Sequence, residues 1–130
     1  MNSQKRKLDA IIRDLKKDNQ VLAVFLFGST AREENHNKSD IDVCLVLKAG
    51  RYTTKELSRK KLEYLKLYDF DIQVFQQLPI YIKKRIIKEG KILFCREEAA
   101  LYEIAFSVIR EFADFECIYR DYLKEVANAG

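Results

Sequence analysis

Residues 21–47, VLAVFLFGSTAREENHNKSDIDVCLVL, decide the fold. The run Val21–Phe27 is apolar throughout, as befits a strand covered on both faces, and it ends in the pair Gly28-Ser29. Ten residues separate that pair from Asp40-Ile41-Asp42, which heads a second apolar run. Side chains alternate faces along a strand, so Asp40 and Asp42 project to one side. Ile41, Val43 and Leu45 project to the other, toward a core. Two carboxylates a strand repeat apart suit a hard divalent cation such as Mg²⁺, which takes oxygen ligands and shares them with substrate phosphates. Gly28 lets the backbone turn sharply and lets a ligand come close. A helix starting at Ser29 would offer free N–H groups and a favourable dipole to a phosphate.

The rest of the chain bounds this reading. At 130 residues it is one domain, long enough for a real core. A net charge of +4 does not mark a nucleic-acid binder. No apolar run approaches membrane-spanning length, and MNSQKRKLDA carries no signal-peptide core, so a cytoplasmic protein is expected. Cys44, Cys95 and Cys117 lack metal-ligand spacing and read as reduced thiols, Cys44 as a small buried filler on the face of Asp40 and Asp42.

The pattern predicts a helix over 3–18, with Leu8, Ile11, Ile12 and Leu15 on one face. It predicts a short helix over 30–34 and a polar loop over 35–38, where His36 is a solvated loop residue. A helix begins at Thr53 or Thr54, with Glu56 placed for a capping box, and runs to about Tyr68. Its cluster Arg59-Lys60-Lys61 reads as a solvated face, with acceptor docking as the sharper alternative. DFDIQVF, residues 69–75, alternates as a third strand. Pro79 and Gly90 bracket another helix, and a short strand follows over 91–94. Lys83, Lys84, Arg85, Lys88 and Lys91 form a basic patch without aromatic interleaving, read as a solvated helix.

Residues 97–127 carry a heptad seam: Leu101, Ala105, Val108, Phe112, Phe115, Tyr119, Tyr122 and Val126. A helix of about thirty residues is roughly 45 Å long, against roughly 26–30 Å for the compact remainder. Either it bends back onto the sheet, or its distal half, with Phe112, Phe115, Tyr119 and Tyr122, meets a partner.

GSTAREENHNKSDIDV resembles the Gly-Ser-x10-Asp-x-Asp signature of the polymerase-β-like nucleotidyltransferases, and the compact size resembles the minimal nucleotidyltransferase (MNT) branch. The likeness covers roughly residues 10–95. It implies an α+β fold (an α/β two-layer core), with a small mixed sheet flanked by helices and a long C-terminal helix. By the resemblance, 1–95 is the catalytic domain and 96–130 a packing and partner-binding helix. Gly28 and Ser29 would bind the triphosphate of ATP, with Arg32 as a further nucleotide-binding candidate, and Asp40 and Asp42 would bind Mg²⁺, two ions in all. The family often has Gly soon after the Arg matching Arg32; this chain has Glu33-Glu34-Asn35. A third catalytic and metal-binding Asp matches Asp71 best, with Asp69 as runner-up.

Stand-alone MNT proteins are often paired with HEPN ribonuclease toxins, and some transfer AMP to a tyrosine of the toxin. The resemblance therefore implies a Mg²⁺-dependent protein adenylyltransferase antitoxin with a HEPN-type partner. The alternatives are a small-molecule nucleotidyltransferase working as a homodimer, and an antitoxin acting by contact alone. Arg32 and His36 are three residues apart and do not match the Arg-x(4–6)-His signature of HEPN proteins, so the chain is not itself expected to be a HEPN toxin.

Overall fold

The computed structural model describes residues 2–27 and 42–129. Helix α1 spans Asn2–Lys17. Strand β1, Val21–Phe27, is followed by β2, Asp42–Leu47, helix α2, Thr54–Leu65, and strand β3, Asp71–Val74. A 3₁₀ turn over Phe75–Gln77 leads to α3, Ile80–Glu89, β4, Lys91–Cys95, and α4, Glu98–Ala129. The short helix and polar loop expected over 30–38 lie outside the described residues.

The four strands form one mixed sheet in the order β3-β2-β1-β4. β1 pairs antiparallel with β2 and with β4, whereas β2 and β3 run parallel. A parallel pair needs a crossover, and α2 supplies it. Helices cover both faces of the sheet, so the arrangement has more cover than two layers. On one face Val24, Leu26, Val43, Leu45, Ile72 and Val74 pack under Ile11 and Leu15 of α1 and Leu57 and Tyr64 of α2. On the other, Phe25, Cys44 and Val46 pack under Ile86 of α3 and Leu101 and Val108 of α4. This two-sided cover is why β1 and β2 are apolar at every central position. A register shift between Val21 and Ala23 puts Leu22 and Ala23 in the same core.

Two boundaries fall inside the expected spans. α2 stops at Leu65, and β3 covers only Asp71–Val74. Between them Leu67 N–H and Tyr68 N–H close a turn onto Tyr64 O. The Tyr68 ring stacks on Phe70 with centroids 6.0 Å apart, and its hydroxyl donates to Asp14. Burial and that bond push Tyr68 up to about 12. These contacts hold 66–70 as a plug at the helix–strand junction. Thr53 caps α2 as read: its Oγ1 accepts from Glu56 N–H at 3.1 Å, and it donates to Glu56 Oε1 at 3.2 Å.

Gly90 ends α3 for a reason other than a left-handed turn. Its φ is −70°. A Cβ there would meet Ile86 O at 2.5 Å and Phe25 Cδ1 at 3.0 Å. Space against β1 and against Ile86 O, to which Gly90 N–H donates at 2.7 Å, requires the glycine. Beyond β3, the Gln76 side chain continues the ladder. Its Oε1 accepts from Leu47 N–H at 3.2 Å, and its Nε2 donates to Leu47 O at 2.8 Å. At the opposite edge Arg96 donates to Val21 O, Lys16 O and Asp18 O at 2.9, 2.9 and 3.1 Å, tying the end of α1 to β1.

The basic clusters are less solvated than their composition suggests. Lys60 donates to Asp18 at 2.7 Å, where Tyr64 OH also donates at 2.7 Å. Lys83 lies over Phe75 and Lys84 over Phe112, 5.7 and 4.2 Å from the ring centroids. The seam of α4 divides in the middle. Leu101 and Val108 are buried against the sheet, while Phe115, Tyr119, Tyr122 and Val126 are exposed. Thirty-two residues make a helix of about 48 Å, longer than the layer it covers. No helix among the described residues is long and apolar enough to cross a membrane.

Candidate active site

Asp42 opens β2 and Asp71 opens β3, and the two are register partners in the parallel ladder, followed by Val43↔Ile72, Cys44↔Gln73 and Leu45↔Val74. Neighbouring strands lie about 4.8 Å apart, and register partners send their side chains to the same face. Phe27, the last residue of β1, is the partner of Asp42 on the other side. A row Phe27–Asp42–Asp71 therefore crosses three strands at one end of the sheet. Next along β2, Cys44 is fully buried. Burial pushes its thiol far above the usual thiol range. It is a filler with no accessible thiolate. Asp42 is half-buried and Asp71 exposed, so the row passes from the core to the surface within one strand repeat.

Asp69, the runner-up carboxylate, precedes β3 and has no place in the ladder. Gly28, Ser29, Arg32 and Asp40 lie outside the described residues. Gly28 directly follows Phe27, and Asp40 stands two residues before Asp42. Among the described residues no group of three or more His, Cys, Asp and Glu could hold a metal. Asp42 and Asp71 supply oxygen donors of the kind a hard divalent cation takes.

Asp71 is not alone on its strand face. Gln73 Nε2 donates to Asp71 Oδ1 at 3.2 Å, and Gln73 Oε1 accepts from Lys61 Nζ at 3.2 Å. Sequence patterns assign no role to Gln73 and place Lys61 in a cluster read as a solvated face, with acceptor docking as the alternative. The available signal was the two-residue spacing that puts Gln73 beside Asp71. A cavity of about 360 Å³ between α4 and the 3₁₀ turn, flanked by Lys83 of α3, reaches Ala49 and Gly50, past the opposite end of β2 from Asp42. It is separate from this carboxylate row.

The family described as polymerase beta, nucleotidyltransferase matches residues 9–99. The chain belongs to this nucleotidyltransferase family. A Methanocaldococcus jannaschii protein, provisionally named protein adenylyltransferase MJ1547, is 36% identical over 107 residues, which cover 82% of this chain and 76% of that one. Among solved structures, a chain of a toxin–antitoxin crystal structure with AMP-PNP aligns at TM-score 0.64 and 20% identity, covering 88% of this nucleotidyltransferase and 94% of that chain. A chain of the complex of a tri-AMPylated Shewanella oneidensis HEPN toxin with an MNT antitoxin aligns at 0.63 and 19%, covering 95% and 98%. These structures share the fold of this nucleotidyltransferase: a small mixed sheet, flanking helices and a long C-terminal helix.

Proposed function

We propose that this nucleotidyltransferase is a protein adenylyltransferase antitoxin, moving AMP from ATP to a tyrosine hydroxyl of a HEPN-type toxin. The observation that carries the reading is the pairing of Asp42 with Asp71 at one end of the sheet, in a chain of this family. The name of the M. jannaschii relative and the AMPylated toxin in the S. oneidensis complex support protein as the acceptor.

In this reading Asp40, Asp42 and Asp71 hold Mg²⁺, two ions in all, with a nucleotide triphosphate. When bound, Mg²⁺ offsets the charge of the triphosphate and of the leaving pyrophosphate. Gly28, Ser29 and Arg32 grip the terminal phosphates, which sets pyrophosphate in line for departure. The acceptor oxygen bonds to the α-phosphorus as the bond from that phosphorus to the bridging oxygen breaks. Asp71, more exposed than Asp42, orients the acceptor hydroxyl and takes its proton. Residues 1–95 supply this chemistry. Residues 96–130 supply the partner contact through Phe112, Phe115, Tyr119 and Tyr122.

The exposed distal stripe of α4 also favours a second reading, in which contact alone neutralises the partner. The test is transfer of label from ATP labelled at the α-phosphate to a co-expressed HEPN-type partner, with and without Mg²⁺. Label on the partner that disappears in Asp42→Asn supports the adenylyltransferase. Neutralisation that survives Asp42→Asn with no label on the partner supports contact alone.

A further inference from the structure

We infer that Gln73 is a positioning residue for the carboxylate of Asp71, and that Lys61 fixes Gln73 in turn. The inference rests on the reading of Asp71 as a metal-binding residue. Its own basis is a three-membered hydrogen-bonded chain that runs from α2 to the head of β3. Lys61 Nζ donates to Gln73 Oε1 at 3.2 Å, and Gln73 Nε2 donates to Asp71 Oδ1 at 3.2 Å.

The chemistry of the ends fixes the middle. An ammonium only donates and a carboxylate only accepts, so the amide can lie only one way round, oxygen toward Lys61 and nitrogen toward Asp71. The first bond stops the amide from turning over. The second sets the rotation of the Asp71 carboxylate about its Cβ–Cγ bond, and with it the direction of the lone pairs on both oxygens. An exposed aspartate on a four-residue strand would otherwise sample several rotamers.

The spacer also matters electrostatically. A lysine in direct contact with Asp71 would form an ion pair and compete with a divalent cation for the same oxygens. An amide donates a hydrogen bond and carries no charge, so it holds the geometry of Asp71 without opposing a cation. Groups that orient metal-binding carboxylates in this way act through the ligand they hold.

The test uses the full chain with Mn²⁺ as the spin-active probe and a non-hydrolysable ATP analogue, so that affinity is read by electron paramagnetic resonance without turnover. Gln73→Leu is expected to weaken Mn²⁺ binding about tenfold, the lower end for such supporting residues. kcat should fall with it, while KM for the nucleotide and Tm stay near wild type. Lys61→Met should shift Mn²⁺ affinity the same way by less. Gln73→Asn, one methylene too short to reach both neighbours, should match Gln73→Leu and serves if the leucine variant does not fold. Because Gln73 acts through Asp71, adding Gln73→Leu to Asp71→Asn should cost nothing further. Unchanged Mn²⁺ affinity in the Gln73 variants, or additive losses in the double variant, would overturn the inference and leave Asp71 as a ligand. Unchanged affinity in Asp71→Asn itself would remove that reading, and the inference with it.

Discussion

Asp42 and Asp71 are register partners at the head of the parallel β2–β3 ladder, although 29 positions separate them in sequence. Neither belongs to the buried cores, so each can be altered without disturbing packing. Asp42→Asn and Asp71→Asn are expected to lower nucleotidyl transfer by about 10²–10³, the several kcal/mol that an electrophilic metal site supplies. Their Tm should stay close to wild type. Calorimetry alongside a pyrophosphate-release assay checks both halves.

Asp18 gives the fold a pH dependence of defined sign. Burial works to raise its carboxyl, but hydrogen bonds from Lys60, Tyr64 and Gln20 N–H outweigh burial and hold it below its ordinary value. A carboxylate held low adds stability above its unfolded pKa, near 4, and loses it as pH falls through the folded value. Asp18→Asn should therefore cost about 1–3 kcal/mol at neutral pH. The gap from wild type should narrow below about pH 4, as followed by urea unfolding across pH.

Gly90 is held by space alone. Gly90→Ala puts a Cβ against Ile86 O and the Phe25 ring. Backbone cannot move aside as a flexible side chain would, so a loss of about 1–3 kcal/mol is expected from overpacking, measured by chemical denaturation.

How much of this was legible in the sequence depended on where the signal was local. β1 and β2 were readable because strands covered on both faces are apolar at every position. Thr53 with Glu56, and the pairing of a Gly-Ser turn with Asp-x-Asp, are likewise short-range patterns. Asp71 was preferred to Asp69 through the family likeness. That Asp71 pairs with Asp42 in the ladder is a matter of strand register, which no local pattern carries. Lys60 and Lys61 were misread as solvated because their partners, Asp18 and Gln73, lie 42 and 12 residues away. Arg96 was missed for the same reason: it binds carbonyls of α1 and β1 more than 70 positions distant. Gly90 ends α3 as read, but the packing against Phe25 that demands glycine there is visible only once β1 lies beside α3.

The distal half of α4 should be dispensable for folding. Phe115 and Tyr119 stack on each other with centroids 6.2 Å apart and are about half exposed. Phe115→Ser and Tyr119→Ser are expected to change stability by no more than about 0.5 kcal/mol, as surface substitutions do. Binding to a HEPN-type partner should weaken sharply, as titration calorimetry would read. Lost stability with unchanged binding would move the partner surface elsewhere.

AMP transfer to a protein partner through Asp42 and Asp71 can be read from intact mass. A HEPN-type partner would be co-expressed with wild-type chain or with the Asp42→Asn, Asp71→Asn double variant, and the partner's mass measured after purification. One or more AMP-sized increments are expected with wild type and none with the double variant. A bound partner of unmodified mass with wild type, or the same increments with both, would contradict AMP transfer through these carboxylates.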